Sequence, residues 1–442
     1  MTISELTSKG GIPCFCGKTH ACTVDKIICR SGAIDETVSV VNACAAKKVF
    51  VLCDVNTYRV AGEKVCAKLK DGGIPYSLYV LPEERPAPDE GTVGSAIMHF
   101  DTSADMVIAV GSGVVNDTGK ILAATAKLPY CIVATAPSMD GYASATSSME
   151  RDGLKVSMAS TAANFIIGDT DVLKTAPTAM LVSGLGDMLA KYVSICEWRI
   201  ANIVTGEYYC EFVAELVRSA LEKCVSNAEG LLRREDAAIE AVFEGLVIGG
   251  LAMTFAGLSR PASGVEHYLS HIWDMRALEF GTPCDSHGTQ CALGTLISVR
   301  LYEELGRQFP NEEKALAFAK DFDKTAHFEE LEKLLGHGAK AMIAQDAREQ
   351  KYSVESHAVR LSQICSHWND ILAIMAQELP ASRELEKLMC SVGLPTKLET
   401  LGFKDNIDEV FRATKDIRDK YVLSRLIWDL GLEREIYPSK IM

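Results

Sequence analysis

The 442-residue sequence predicts two architectures in tandem: an α/β domain with a mostly parallel sheet over residues 1–168, and an all-α domain over residues 169–442. Three observations carry that reading. The length exceeds what one hydrophobic core usually fills, which favours two domains. Short β-branched runs alternate with helical patterns through the N-terminal part, the signature of a parallel sheet covered by helices. After about Ile167 the alternation stops, and nearly everything to Leu432 follows helical periodicity.

The expected strands are residues 48–54 (KVFVLCD), 77–81, 106–110 and 130–134. Helices are expected between them at 61–69 and 92–100, the second preceded by Asp89 and Glu90, an acidic pair that suits a helix start. A strand-like NFIIGDT closes the first domain near 165–172. Beyond it the periodicity predicts helices over 177–203, 206–232 and 235–259, with Asp171, Pro177 and Asp236 as starting residues. No repeat of solenoid period and no low-complexity segment interrupts the chain.

Composition narrows the partners. The net charge is −14, and no Lys/Arg-rich block or basic stripe is present, so a nucleic-acid surface has no electrostatic basis. Fifteen cysteines, an odd number, lie scattered from Cys14 to Cys390. That is not the spacing of a secreted disulfide framework, so they are expected as reduced thiols in a cytoplasmic protein. The opening MTISE lacks a signal-peptide pattern. The longest uncharged stretch, 245–259, is shorter than the roughly 20 residues of a membrane span and is expected as a core helix, with no membrane partner.

Chemistry-bearing residues cluster at predicted strand ends. In MVIAVGSGVVNDTGK an apolar strand runs into Gly111-Ser112-Gly113 and then a helix with Asn116, Asp117 and Lys120. Such a turn lets backbone N–H groups and a helix N-terminus approach a pyrophosphate, although it matches neither the GxGxxG nor the Walker spacing. Asp54 closes another strand, as an acidic residue does when it accepts hydrogen bonds from a ribose; capping a helix is the competing role. The strand at 130–134 opens into TAPSMDGYASATSS, a run of small and hydroxyl residues. In open α/β sheets ligands sit beyond the carboxyl ends of strands, where these three segments are expected to converge.

His267 and His271 are four apart in GVEHYLSH, so a helix places both imidazoles on one face. His287 follows in CDSHGTQ, and Asp187 stands among glycines in SGLGDMLAKY. A lone histidine is more often a hydrogen-bonded core or surface group. Two imidazoles with a carboxylate are, however, a ligand set for zinc, iron, nickel or manganese with open positions for substrate. The hydrolase motif HExxH is absent, because Tyr268 follows the first histidine and Glu266 precedes it. Cys14, Cys16, His20 and Cys22 crowd into nine residues, tighter than usual zinc-ribbon spacing, and are expected in a mobile or sheet-edge segment rather than around a metal.

The blocks CFCGKTH, GSGVVNDTGK, TAPSMDGYASATSS, SGLGDMLAKY, RPASGVEHYLSH and SHGTQ, in this order over roughly residues 14–300, resemble the sn-glycerol-1-phosphate dehydrogenases of the iron-containing alcohol dehydrogenase and dehydroquinate synthase superfamily. The resemblance implies a cofactor domain followed by a helical metal domain, with the active site in the cleft between them. It assigns Gly111, Ser112, Gly113, Val114, Val115, Thr135, Ala136, Pro137 and Ser138 to NAD or NADP, with Asp54 and Ser144 beside them. It makes Asp187, His267 and His287 ligands of one divalent metal, zinc, nickel or iron. Asp140, Asp187 and His271 become the catalytic residues that meet the substrate, dihydroxyacetone phosphate or glycerol 1-phosphate. Relatives acting on unphosphorylated glycerol tend to carry HGEK where this chain has HGTQ. A homodimer is also implied. Arg260 and Ser263, just before the histidine helix, are expected to contact the substrate phosphate. The alternatives are an alcohol or polyol dehydrogenase with a neutral substrate, and a dehydroquinate synthase-like cyclase that eliminates phosphate.

Overall fold

The computed structural model describes residues 3–152, 154–403 and 406–442. Its strands, in chain order, are the hairpin β1 (Ile12–Pro13) and β2 (Thr19–His20), then β3 (Lys26–Arg30), β4 (Val49–Asp54), β5 (Tyr76–Leu81), β6 (Met106–Gly111), β7 (Tyr130–Ala134), the hairpin β8 (Thr146–Arg151) and β9 (Leu154–Ala159), and β10 (Phe165–Asp169). Six of them form one parallel sheet in the order β3-β10-β7-β6-β4-β5. Strands β4, β6, β7 and β10 are buried along their whole length. Burial on both faces is why they read as continuous apolar runs rather than alternating ones.

Strand register decides where chemistry can gather. Cys53 pairs with Val110, and Gly111 pairs with Ala134, so the carboxyl ends of β4, β6 and β7 finish side by side. Several elements went unread in the sequence, the helix Thr37–Ala43 among them. Strand β3 lies at the sheet edge with only its central Ile28 buried, and the β8–β9 hairpin is made largely of polar and hydroxyl residues.

Secondary structure changes from sheet to helix just after Asp169. The compact units cut the chain elsewhere: one holds residues up to 188 together with 215–258, the other 189–214 together with 259–442. The physical reason is glycine-mediated packing on the sheet. A Cβ at Gly168 would sit 2.2 Å from Phe243, and one at Gly250 would sit 2.7 Å from the Asp140 carbonyl oxygen. The helix Asp236–Ala256 is therefore laid directly against the strand-end loops of the first unit. The expected helix over 177–203 is two, Thr178–Leu189 and Lys191–Thr205, interrupted at Ala190.

The second unit is helical. Its helices Val265–Phe280 and His287–Leu305 cross closely, since a Cβ at Gly294 would lie 2.8 Å from the Glu266 carbonyl oxygen. Farther along, Arg425 stacks over Tyr352 at 4.6 Å, and His327 meets Asp416 at 2.9 Å, in a buried aromatic and ionic cluster around Trp428. Two stretches, Thr178–Thr205 and Asp236–Ala256, are long and apolar enough to cross a membrane; 83% and 72% of their most apolar windows are buried within the protein, as core helices are.

Candidate functional site

In the first unit the site is built by backbone. Helix Gly113–Ala126 starts at the end of β6, and Ser112, its N-cap, makes no side-chain cap, which leaves the first amides available to an anion. A Cβ at Gly111 would lie 2.5 Å from the Val115 side chain, so only glycine lets the strand turn this tightly into the helix. Thr135 donates its N–H to the Gly111 carbonyl at 3.1 Å, bringing the Thr135–Ser138 segment alongside. Asp54 performs the capping role: one carboxylate oxygen accepts from the Asn56 and Thr57 amides, both at 2.8 Å.

The small-residue run after β7 is fastened from beneath. Lys120, fully buried, donates to the Gly141 carbonyl at 3.1 Å and the Thr146 carbonyl at 2.5 Å, and pairs with Asp117 at 2.8 Å. Ser144 is part of this fastening, its hydroxyl donating to the Thr146 carbonyl at 3.0 Å. Asp187 is fully buried and accepts the Asp140 amide at 3.0 Å, which joins two of the expected substrate residues. This approach needs Gly184, where a Cβ would stand 1.8 Å from the Pro137 carbonyl oxygen.

In the second unit the site is built by side chains. His267 and His287 have ring centroids 5.0 Å apart, and His271 stacks on His287 at 6.0 Å. The Nδ1–H of His267 donates to the Glu266 carboxylate at 2.7 Å, and Glu266 also accepts the Gly264 amide at 2.7 Å. Ser270 Oγ lies 3.2 Å from His287 Nδ1 and accepts from Gln290 at 3.1 Å. Fixing Nδ1 in this way turns Nε2 outward as a metal donor. Cys291, one turn along from His287, brings its Sγ to 3.7 Å from His287 Nε2. Burial raises the Cys291 thiol, but His267 and His287 outweigh it and bring it down to about 7.

His267, His287 and Cys291 form one metal-capable group, with donor atoms all within 4.8 Å; His271, Asp274 and His287 form a second. The first contains His267 and His287, two of the three expected ligands. Its imidazoles are oriented by neighbours, whereas Asp274 already accepts from Gln290 at 2.8 Å. Behind it lies a buried carboxylate pair. Glu197 accepts the Val265 and Leu423 amides at 3.0 and 2.8 Å, and its carboxyl is pushed up to about 8, first by burial and then by Glu266.

One expectation gives way. Arg260 is 1% exposed, with Nε and Nη2 on the Glu207 carboxylate at 2.7 and 2.5 Å and Nη1 on the Tyr421 carbonyl at 2.8 Å. Its donors are committed to structure, so it is not placed to hold a phosphate. Sequence reasoning also passed over Glu266, Ser270, Cys291 and the fastening role of Lys120. Only Gly264 signals the first of these, since a Cβ there would fall within 2.7 Å of both Glu197 and Glu266.

The family model described as iron-containing alcohol dehydrogenase matches residues 28–177. A glycerol-1-phosphate dehydrogenase (NAD(P)+) of Halalkalibacterium halodurans is 28% identical over 415 residues, covering 93% of this chain and 94% of the relative. The Bacillus velezensis protein of the same name is 33% identical over 285 residues, 64% of this chain and 72% of the relative. That of Methanothrix thermoacetophila is 32% identical over 278 residues, 63% and 77%. Among solved structures, glycerol dehydrogenase from Schizosaccharomyces pombe shares the fold with a TM-score of 0.59 and 21% identity, covering 94% of this chain and 90% of that one. Sheet order, strand-end loops and oriented histidines thus accompany sequence likeness along most of the chain, which belongs to the NAD(P)-dependent glycerol-1-phosphate dehydrogenase family, within the iron-containing alcohol dehydrogenases.

Proposed function

We propose that this oxidoreductase interconverts dihydroxyacetone phosphate and sn-glycerol 1-phosphate by hydride exchange with NAD or NADP, with Asp187, His267 and His287 as ligands of one divalent metal: zinc, nickel or iron. The observation that carries the reading is the imidazole pair whose Nδ1 atoms are held by Glu266 and Ser270. Such a cation would supply Lewis-acid polarisation of the substrate carbonyl, and the reduced nicotinamide would supply the hydride.

The chain's own groups do the remainder. Gly111–Val115 and Thr135–Ser138 present amides and a helix N-terminus to the cofactor phosphates. The carboxylate of Asp54 repels a 2′-phosphate, which favours NAD over NADP. His271 lies one helical turn from His267, with ring centroids 6.4 Å apart, and serves as the proton carrier, with Asp140 orienting the substrate hydroxyl. HGTQ in place of a basic HGEK block favours the phosphorylated substrate. The same reading makes the enzyme a cytoplasmic homodimer, which light scattering of the purified protein checks.

The test is cofactor oxidation with dihydroxyacetone phosphate, and separately with dihydroxyacetone, after reconstitution with zinc, nickel or iron. Turnover with the phosphate ester alone, yielding sn-glycerol 1-phosphate, is expected. Turnover with the neutral ketone only would place the chain with polyol dehydrogenases. Inorganic phosphate released without net cofactor turnover would place it with the cyclases.

A further inference from the structure

The N-terminal hairpin takes no part in that reaction, yet it carries the best-formed donor cluster outside it. Strands β1 and β2 pair Ile12 with His20 and Pro13 with Thr19. At the tip, Gly17 donates to the Cys14 carbonyl and Cys14 to the Lys18 carbonyl, both at 3.0 Å. Gly17 has φ +84°, a left-handed conformation that favours glycine. The turn puts Phe15 fully into solvent while Cys14 and Cys16 stay partly covered. The spacing that looks too tight in the sequence is accommodated by this turn.

Sγ of Cys14, Sγ of Cys16 and a ring nitrogen of His20 lie within 4.8 Å of one another. Cys16 Sγ stands 3.5 Å from His20 Nε2. Around a tetrahedral zinc with bonds of about 2.3 Å to sulfur and 2.0–2.1 Å to nitrogen, those two donors would be about 3.5 Å apart. His20 is 1% exposed, and its Nδ1–H donates to the Phe255 carbonyl at 3.0 Å. This fixes the tautomer that leaves the Nε2 lone pair facing the thiols, as in metal-bound histidines. Lys18 Nζ donates to the Ala256 carbonyl at 3.3 Å, so two bonds pin the hairpin to the C-terminal end of helix Asp236–Ala256. Cys22 stands outside the group, its Sγ directed at the Leu6 and Val24 carbonyls.

We infer that Cys14, Cys16 and His20 form a second, structural metal site for a zinc-class divalent cation, which holds the N-terminal hairpin on the helix beneath it. Two thiolates and an imidazole suit a borderline-soft ion without redox chemistry, and binding releases the two thiol protons.

The test counts metal. Full-length protein, loaded with zinc and freed of excess, is expected to hold one equivalent more per chain than a Cys14→Ser/Cys16→Ser variant. His267→Ala should still hold the hairpin equivalent, so loss of the catalytic ion and loss of this one are read separately. In wild-type protein, alkylation mapped by mass spectrometry should spare Cys14 and Cys16 until a chelator is added, a readout independent of whether the variant folds. Cobalt substitution should give a thiolate-to-metal absorption band that the His267→Ala protein retains. Equal metal content in wild type and double variant would overturn the inference. So would equal alkylation with and without chelator, or a Cys14–Cys16 disulfide that chelation leaves intact.

Discussion

The two units prepare chemistry by opposite means. The sheet unit presents backbone: strand ends aligned by register, a helix N-terminus, and glycines at Gly111 and Gly184 where no Cβ fits. The helical unit presents side chains, each held by another: His267 by Glu266, His287 by Ser270, and Ser270 by Gln290. Backbone sites tolerate changes of side chain but not of volume. Side-chain sites tolerate changes of volume but not of hydrogen bonding or charge. Substitutions of each kind should separate the two units.

The largest effect is expected from Gly184→Ala. The new methyl would lie 1.8 Å from the Pro137 carbonyl oxygen and 2.8 Å from its carbon, and both neighbours are backbone. Helix and loop must part, at a cost of about 3 kcal/mol or more. A large drop in thermal midpoint together with weakened cofactor binding is expected. A variant with wild-type stability would show that the loop moves freely and that the backbone account of this unit is wrong.

Next comes Glu266→Gln, which keeps shape and removes charge. Metal affinity should fall about 10–100-fold, the usual cost of losing such an orienting partner. Cofactor affinity should stay as it was, since the cofactor loops belong to the backbone-built unit. Titration of chelated protein with zinc measures the first, and fluorescence of bound NADH the second. Metal affinity within twofold of wild type would mean that the packing of His267, not its carboxylate partner, sets its orientation.

The two construction principles also explain what the sequence discloses. KVFVLCD and MVIAV announce strands because burial on both faces demands unbroken apolar runs. KIICR does not, because at the sheet edge its ends, Lys26 and Arg30, are exposed and only Ile28 is buried. Gly111 and the small-residue run after β7 are legible because backbone approach restricts residue type. Glu266 is illegible as an orienting group because residues adjacent on a helix do not ordinarily face each other. Its contact with His267 depends on the turn at Gly264, where two carboxylates crowd a position with no Cβ. Cys14, Cys16 and His20 show the converse: the sequence displays the donors, and only the hairpin shows that they meet.

A smaller effect should appear in the pH dependence of stability. The Glu197 carboxyl is raised from an ordinary 4.5 to about 8 by burial and then by Glu266. A raised folded-state value means that the unfolded chain loses its proton first. The stabilisation is therefore fully present below pH 4.5 and is lost as pH rises through about 8. Glu197→Gln should flatten that decline by about 1 kcal/mol per pH unit, measured by urea unfolding at several pH values between about 5 and 8. An unchanged slope would mean that Glu197 is not the group whose protonated form the fold favours.

The smallest effect tests whether a side chain matters at all in the backbone-built unit. Asp54 caps the helical turn Val55–Thr57 through one oxygen. Asn caps about as well as Asp, so Asp54→Asn should leave stability within a few tenths of a kcal/mol. On the proposed function, what it removes is a negative charge opposite the ribose 2′ position. The ratio of kcat/KM for NADPH to that for NADH should therefore rise about tenfold, or 1.4 kcal/mol, with metal content unchanged. If the ratio stays fixed, Asp54 is a helix cap and nothing more, and cofactor choice in this unit is made by backbone alone.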